Sequence, residues 1–494
     1  GMFAFAIWDR ETDELFAARD QIGVKPLYYA FVDGFLVIGS EMRTVMDHPA
    51  VPSTLSAGSV VEYLSFGYTS GERTLIESIK KLEPGHAMRL SGGRLNVFEY
   101  WDVIGDATST LDGRPVETQL RELLEAAVSA ALVSDVPVGI MLSGGLDSSV
   151  IAALAARHGS PDDLHAFSID FGLPTDESAA AARLADELGI SHTTIRLTQE
   201  RLRSGFDAWL GEIDEPSSNP TWFAVAAIAE AARDEGIKVL IGGDGGDELF
   251  GGYNRWMKYL RFHDRVWGPA PRSVRRVAGA LGAPVARGLA GDIVARARKG
   301  GELFVNSRAF HDDHLKKTLG PVGLDALAQR SPEAFVAGLR ARFDERCPGG
   351  DYLNWMSYVA LKTDLVEDYL ARLDKMGMIR SVEGRVPLLD PALARFAFGL
   401  TQEQKIGPYE QKRLFRRVVT PLLPGYITER PKQGFCPPVS DWATQAIADR
   451  SEDLGILQES GIVRGDAAVA LAGPGGSFAR WTLGTLAAWC RQNL

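Results

Sequence analysis

Cysteine is scarce in this chain, and so is every feature that would place it in a membrane or carry it out of the cell. Its three cysteines, Cys347, Cys436 and Cys490, are too few and too scattered for a disulfide framework, and none belongs to a C-x-x-C pair. No apolar run approaches the roughly 18 residues that a bilayer-spanning helix requires. The start, Met2-Phe3-Ala4-Phe5-Ala6-Ile7-Trp8-Asp9, has no basic leader and meets a charge too early for a secretory signal. These absences point to the reducing cytoplasm. A basic excess is missing as well: the formal net charge of -11 argues against general affinity for nucleic acid or acidic membranes. Basic residues do crowd between Arg255 and Lys299, among them Arg272, Arg275, Arg276, Arg287, Arg296 and Arg298. They lie in alanine-rich, helix-like sequence, where a solvated helical face is expected.

What is present suits an ordinary globular protein. The 494 residues, 45% apolar and 24% charged, suffice for two to four domains with substantial cores. Residues 1–104 read as β-rich, with short apolar or alternating runs at 3–8, 15–18, 27–31 and 35–38. Two further runs, 87–90 and 95–100, flank the turn Ser91-Gly92-Gly93-Arg94. Several runs are apolar on both faces, as in a layered core, yet the first opens in mid-sheet with no element before it. Residues 105–115, rich in Asp, Thr, Ser and Gly, read as a linker. From 116 onward the patterns alternate: helix 116–132, strand 138–142, helix 150–157, strand 164–169, helix 178–188, strand 193–197, helix 222–235 and strand 239–241. Such alternation predicts an α/β domain with a mostly parallel sheet, because parallel strands need crossover connections. Ligands of such sheets bind beyond the carboxyl ends of the strands.

Two loops that follow strands carry the chemistry. Ser143-Gly144-Gly145-Leu146-Asp147-Ser148-Ser149 joins strand 138–142 to a helix. Its adjacent glycines allow a sharp turn and close approach of a ligand, so that backbone N–H groups and the helix N-terminus face an anion. Asp147 suits such a loop only where a divalent cation separates it from phosphates, so the loop reads as a cradle for a nucleotide's pyrophosphate with its metal. The other loop, Gly242-Gly243-Asp244-Gly245-Gly246-Asp247-Glu248, follows strand 239–241. Carboxylates this dense repel one another unless a cation neutralises them, and Asp147 and Asp247 are placed to bind one Mg2+ from both sides. Taken singly, a serine-capped turn and an acidic surface turn would look the same; the pair, at the ends of two strands, is what points to a site. Between them lies Asp214-Glu215-Pro216-Ser217-Ser218-Asn219-Pro220, a rigid polar turn at a helix start.

From Tyr253 onward the chain reads as mostly helical. Residues 369–390, YLARLDKMGMIRSVEGRVPLLD, interleave Asp374, Lys375, Arg380, Glu383 and Arg385 with an apolar stripe, the pattern of an amphipathic helix with exposed ion pairs. Arg430-Pro431-Lys432-Gln433-Gly434-Phe435 sets a cation before a glycine turn, from which Lys432 can reach phosphate oxygens.

With SGGLDSS at 143–149, GDGGDELFGGY at 243–253, SVEGRVPLLD at 381–390 and RPKQGF at 430–435, the chain resembles the glutamine-hydrolysing asparagine synthetases over essentially its whole length. The resemblance implies a PP-loop ATP pyrophosphatase-type (adenine nucleotide alpha hydrolase-like) synthetase domain over 116–494, with a parallel sheet and a helical C-terminal half. Before it, over 1–104, the resemblance implies part of an Ntn-type αββα glutaminase domain. The nucleophile of that domain is an N-terminal cysteine with no counterpart here, so this chain is expected not to hydrolyse glutamine by itself.

In the family, the side-chain carboxylate of aspartate attacks the α-phosphate of ATP to give β-aspartyl-AMP and pyrophosphate, and ammonia then displaces AMP. By resemblance, Ser143, Gly144, Gly145, Ser148 and Ser149 hold pyrophosphate, and Asp147 and Asp247 hold Mg2+. Backbone near Met141, Ile169, Gly242 and Gly243 holds adenosine and its α-phosphate. Lys432 stabilises the phosphorus transition state, Asp374 matches a position associated with the acceptor, and Asp244 is the candidate base toward ammonia. Lys375, Gly377 and Ile379 depart from the DRMSMA usual in this stretch. That departure leaves open a different carboxylate acceptor, as in β-lactam synthetases and lasso-peptide cyclases.

A reading of another class is a non-catalytic subunit whose half sandwich leaves apolar strands uncovered, which favours association, a homodimer included. An ATP-binding thiolation enzyme acting on tRNA is disfavoured, since paired cysteines and a basic balance are both absent.

Overall fold

The structure, a computed structural model, describes residues 1–105, 112–173, 176–282, 288–305, 310, 312–430, 454–467 and 477–494. The N-terminal unit holds β1 (Ala4–Asp9), β2 (Glu14–Arg19), β3 (Tyr28–Val32), β4 (Phe35–Gly39), β5 (Lys80–Lys81), β6 (His86–Ser91) and β7 (Arg94–Glu99). They form two antiparallel sheets, ordered β1-β2-β6-β7 and β4-β3-β5. Both sheets contribute to one small core, Ala17, Leu27, Tyr29, Leu82 and Met88. On the edge strand β1 the adjacent Ile7 and Trp8, which the pleat points to opposite faces, are 58% and 50% exposed. Runs apolar on both faces thus correspond to packing on both sides at β3, where Tyr28 and Ala30 join the main core and Tyr29 the small one, and to uncovered faces at the edge strand β1, in keeping with a glutaminase-like region.

β2 ends in Arg19-Asp20, and these two side chains lock the turn that follows. Arg19 donates to the carbonyls of Lys25 at 2.7 Å, Leu82 at 2.8 Å and Gly23 at 2.9 Å. One Asp20 oxygen accepts from the N–H groups of Gly23 at 2.7 Å and Val24 at 2.9 Å. Gly23 has φ +80°, and a Cβ there would lie 2.6 Å from Pro84 Cγ, so only glycine fits. The locked turn presents Lys25 to the second unit.

That unit is built on β8 (Val138–Met141), β9 (Leu164–Asp170), β10 (Ser191–Arg196), β11 (Val239–Ile241) and β12 (Glu383–Arg385), all parallel, in the order β10-β9-β8-β11-β12. The helices Leu146–His158, Ser178–Leu188 and Trp222–Asp234 lie within the crossovers. From β8 the chain winds outward to β10 and then returns to the other side at β11. The crevice between β8 and β11 is therefore the topological switch point, where such sheets bind ligands.

β12 corrects the expectation of a single amphipathic helix over 369–390. The chain there makes a π-helical turn, Leu365–Leu370, then the helix Ala371–Met378, and turns sharply through Ser381 at φ +58° into the strand. Only three residue pairs join β12 to β11, too few for a period-two pattern to show in the sequence. A Cβ at Gly377 would lie 2.4 Å from the carbonyl oxygen of Val382, so the glycine that departs from the family pattern is a packing requirement of this fold-back.

Among the described residues no helix is long and apolar enough to cross a membrane. In the basic stretch Arg272, Arg276 and Arg298 are exposed as expected, Arg296 is buried against Phe304, and Arg287 lies outside the described residues.

Candidate active site

At the end of β8 the chain turns at Gly144, φ +82°, where a Cβ would lie 2.7 Å from the carbonyl oxygen of Glu177. Two serines then close the loop on itself. Ser143 Oγ accepts from the Gly145 N–H at 3.2 Å and lies 3.0 Å from Ser148 Oγ, which accepts from the Ser143 N–H at 3.2 Å. Gly145 caps the helix Leu146–His158 without a side chain, so the first N–H groups of that helix face the loop, ready for an anion. Ser149, expected at the pyrophosphate, is fully buried one step further along the helix, and its hydroxyl has no hydrogen-bond partner among the described residues.

The second loop leaves β11 with the Gly242 N–H bonded to Arg385 O of β12 at 2.8 Å. Its glycines are what let the two loops touch. A Cβ at Gly246 would lie 2.5 Å from an Asp147 carboxylate oxygen, and one at Gly243 would lie 3.1 Å from Ser148 N. Met141, Ile169, Gly242 and Gly243 lie at or just beyond the carboxyl ends of β8, β9 and β11, around the same crevice.

The two aspartates expected to share a cation do meet, and the cation between them is an ammonium. Lys412 Nζ lies 2.6 and 2.5 Å from the two Asp147 oxygens and 2.5 Å from Asp247 Oδ1. Lys412 is itself buried, on a left-handed backbone at φ +52° just before the helix Arg413–Val419. Sequence reasoning missed it because Lys412 heads a run with Arg413, Arg416 and Arg417 that looks like an ordinary basic helix. A carboxylate pair converging on one charge is also a donor set that suits Mg2+. Among the described residues no group of three or more His, Cys, Asp or Glu could hold a metal by itself.

Asp244 sits beside this centre, 3.5 Å from Arg372 Nη2. Burial pushes its carboxyl upward and the Arg372 guanidinium opposes the shift. Asp374 is brought elsewhere: it holds Lys25 of the N-terminal unit at 2.8 Å. Its neighbour Lys375 holds Asp214 at 2.8 Å and Glu41 at 3.1 Å. These pairs border a cleft between the two units that is also lined by Tyr28, Lys81 and Glu367. Lys375 thus departs from the family pattern at a domain contact. Lys432 lies outside the described residues; Arg430, which opens its motif, reaches within 3.8 Å of Glu177, the residue packed against Gly144.

Glu248, immediately after the acidic loop, accepts from Tyr253 Oη at 2.5 Å. Burial nevertheless pushes its carboxyl from 4.5 to about 7. Because the folded value is the higher, its contribution is fully present below pH 4.5 and is lost as pH rises through about 7. Unfolding free energy is expected to fall by up to about 3 kcal/mol across that window, and by less in Glu248→Gln. Urea melts at pH 5 and pH 8 check this; an equal pH loss in the variant would assign the effect to other groups.

Comparison with known proteins agrees with the two-unit architecture. The asparagine synthase family model matches residues 119–491, and the glutamine amidotransferase domain model matches residues 1–101. The chain belongs to the asparagine synthase family. Within it, a Mycobacterium tuberculosis protein named as a glutamine-hydrolysing asparagine synthetase is 30% identical over 452 residues, covering 90% of this chain and 68% of the relative. Asparagine synthetase 1 of Bacillus subtilis is 27% identical, covering 93% of this chain and 71% of the relative. A family relative with another name, amidase chry2 of Gibberella zeae, is 28% identical over 92% of this chain and 72% of its own length. Membership supports an ATP-dependent ligase of the adenylating, amide-forming kind.

Proposed function

We propose that this chain converts L-aspartate to L-asparagine through β-aspartyl-AMP, using ATP and ammonia and releasing AMP and pyrophosphate. The observation that carries the reading is the meeting of Asp147 and Asp247 at the switch point, on one buried positive charge. A carboxylate attacking a polyphosphate is opposed by charge, and cations at the phosphates are what lower that barrier. The Ser143-Gly144-Gly145 turn, Ser148 and the helix N-terminus hold the pyrophosphate portion, while backbone at Met141, Ile169, Gly242 and Gly243 holds the adenosine and α-phosphate. Asp147 and Asp247 would hold Mg2+, which would supply charge neutralisation at the phosphates. Lys412 keeps the two carboxylates together and adds a fixed positive charge, and Lys432 serves the phosphorus centre.

In the first step a carboxylate oxygen bonds to the α-phosphorus as the bond to the pyrophosphate oxygen breaks. In the second the ammonia nitrogen bonds to the acyl carbon, AMP leaves, and Asp244 takes the surplus proton. Asp374, bound to Lys25, acts on the acceptor by fixing its own helix against the N-terminal unit.

Incubation with ATP, Mg2+, aspartate and ammonium is expected to release AMP and pyrophosphate in equal amounts. ADP and phosphate alone would overturn adenylation. The amidase relative favours a second reading, the same chemistry on another carboxylate. A panel of carboxylates assayed for pyrophosphate release separates the two.

A further inference from the structure

Arg372 opens the helix Ala371–Met378 and lies deep in the crevice, its side chain 11% exposed. The polar turn over 214–220 fixes one side of it. Asp368, buried, accepts from Ser217 Oγ at 3.0 Å, Trp222 Nε1 at 2.9 Å and Asn219 Nδ2 at 2.5 Å. Asn219 Oδ1 in turn accepts from Thr221 Oγ1 at 2.8 Å, and that hydroxyl oxygen accepts from Arg372 Nη1. The ring of Tyr369 lies under the guanidinium, 5.0 Å away.

The other side of the guanidinium is poorly used. A carboxylate matched to an arginine fork sits at about 2.7–2.9 Å on two nitrogens. Asp244 instead reaches one nitrogen at 3.5 Å, and Arg372 Nε is buried with no hydrogen-bond partner among the described residues. Five fixed donors in a mostly buried pocket, with one short bond and one long one, form a site short of an acceptor among the described residues. That site adjoins Asp244, which is two residues from Gly242 at the carboxyl end of β11.

We infer that Arg372 is the subsite for a second, non-reacting carboxylate of the acceptor, which docks on the guanidinium in place of Asp244. The acceptor class is then a small molecule with a free carboxylate close to the one that is activated, and a side chain within a peptide is excluded. Docking also separates Asp244 from Arg372, which leaves the base beside the acyl carbon only when an acceptor is present. The inference rests on the ligase reading of the neighbouring loops.

The test compares L-aspartate with isoasparagine, which keeps the amine and the β-carboxylate and carries an amide in place of the α-carboxylate. Binding to the full chain is measured by calorimetry, and pyrophosphate release in the presence of ATP and Mg2+ is measured separately. Aspartate is expected to bind about 100-fold more tightly than isoasparagine, because a buried donor set left unpaired rejects the analogue. Arg372→Gln, with folding verified by thermal melting, is expected to bind both equally. Should that variant not fold, Arg372→Lys, which keeps the charge and loses the fork, is expected to cut the preference at least tenfold. Equal binding by the unaltered protein, or a preference that survives these substitutions, overturns the assignment. Discrimination in binding without any pyrophosphate release supports the Arg372 subsite and overturns the ligase reading instead.

Discussion

Asp147→Asn is expected to lower pyrophosphate release about 1000-fold, the scale of removing a group that acts on transition-state charge. The asparagine keeps the size of the side chain and one acceptor oxygen, and Lys412 keeps its bond to Asp247. Folding stability should therefore drop only by about 1–3 kcal/mol, the loss of one charged hydrogen bond. The rate should respond far more weakly to Mg2+ than in the parent. Steady-state pyrophosphate assays across a Mg2+ series check both. A variant within tenfold of the parent would take the loop out of the chemistry and restore the reading of a non-catalytic subunit.

Lys412→Met is expected to have the largest effect on stability. It leaves two half-buried carboxylates facing each other with no ammonium between them. Breaking a buried ion pair by removing one partner costs about 3–5 kcal/mol. Mg2+ binds where the ammonium was better than it binds beside it, so millimolar Mg2+ should raise the melting temperature of the variant by several degrees more than that of the parent. Melting curves with Mg2+ and with chelator decide the matter. Identical Mg2+ responses would mean that the two aspartates do not form the metal site.

Much of this was legible in the sequence, for reasons that can be named. The helices Val116–Leu132 and Ser178–Leu188 appear at the expected residues because each buries a face of helical period, and the strand β11 because it is a fully buried apolar run ended by a glycine loop. The meeting of the two loops was legible from charge alone, since dense carboxylates at strand ends demand a shared cation. What escaped was long-range. Lys412 is 265 residues from Asp147 in sequence, and no local pattern marks which of several neighbouring cations turns inward. Arg372 was overshadowed by Asp374, two positions on, because spacing within a helix does not say which residue faces the crevice and which faces the other domain. Ser149 belongs to the motif, yet the helix carries it into the core, where packing decides its surroundings.

The adjacency of Asp374 and Lys375 has one more consequence. They stand side by side with opposite signs, and the N-terminal unit offers Lys25 to one and Glu41 to the other. Sliding that unit along the helix by a single position would set Lys25 against Lys375 in one direction, or Glu41 against Asp374 in the other, replacing an attraction by a repulsion either way. The contact therefore behaves like a polarised plug that seats one way round, and the two halves of the molecule are keyed to each other by sign before any apolar surface closes.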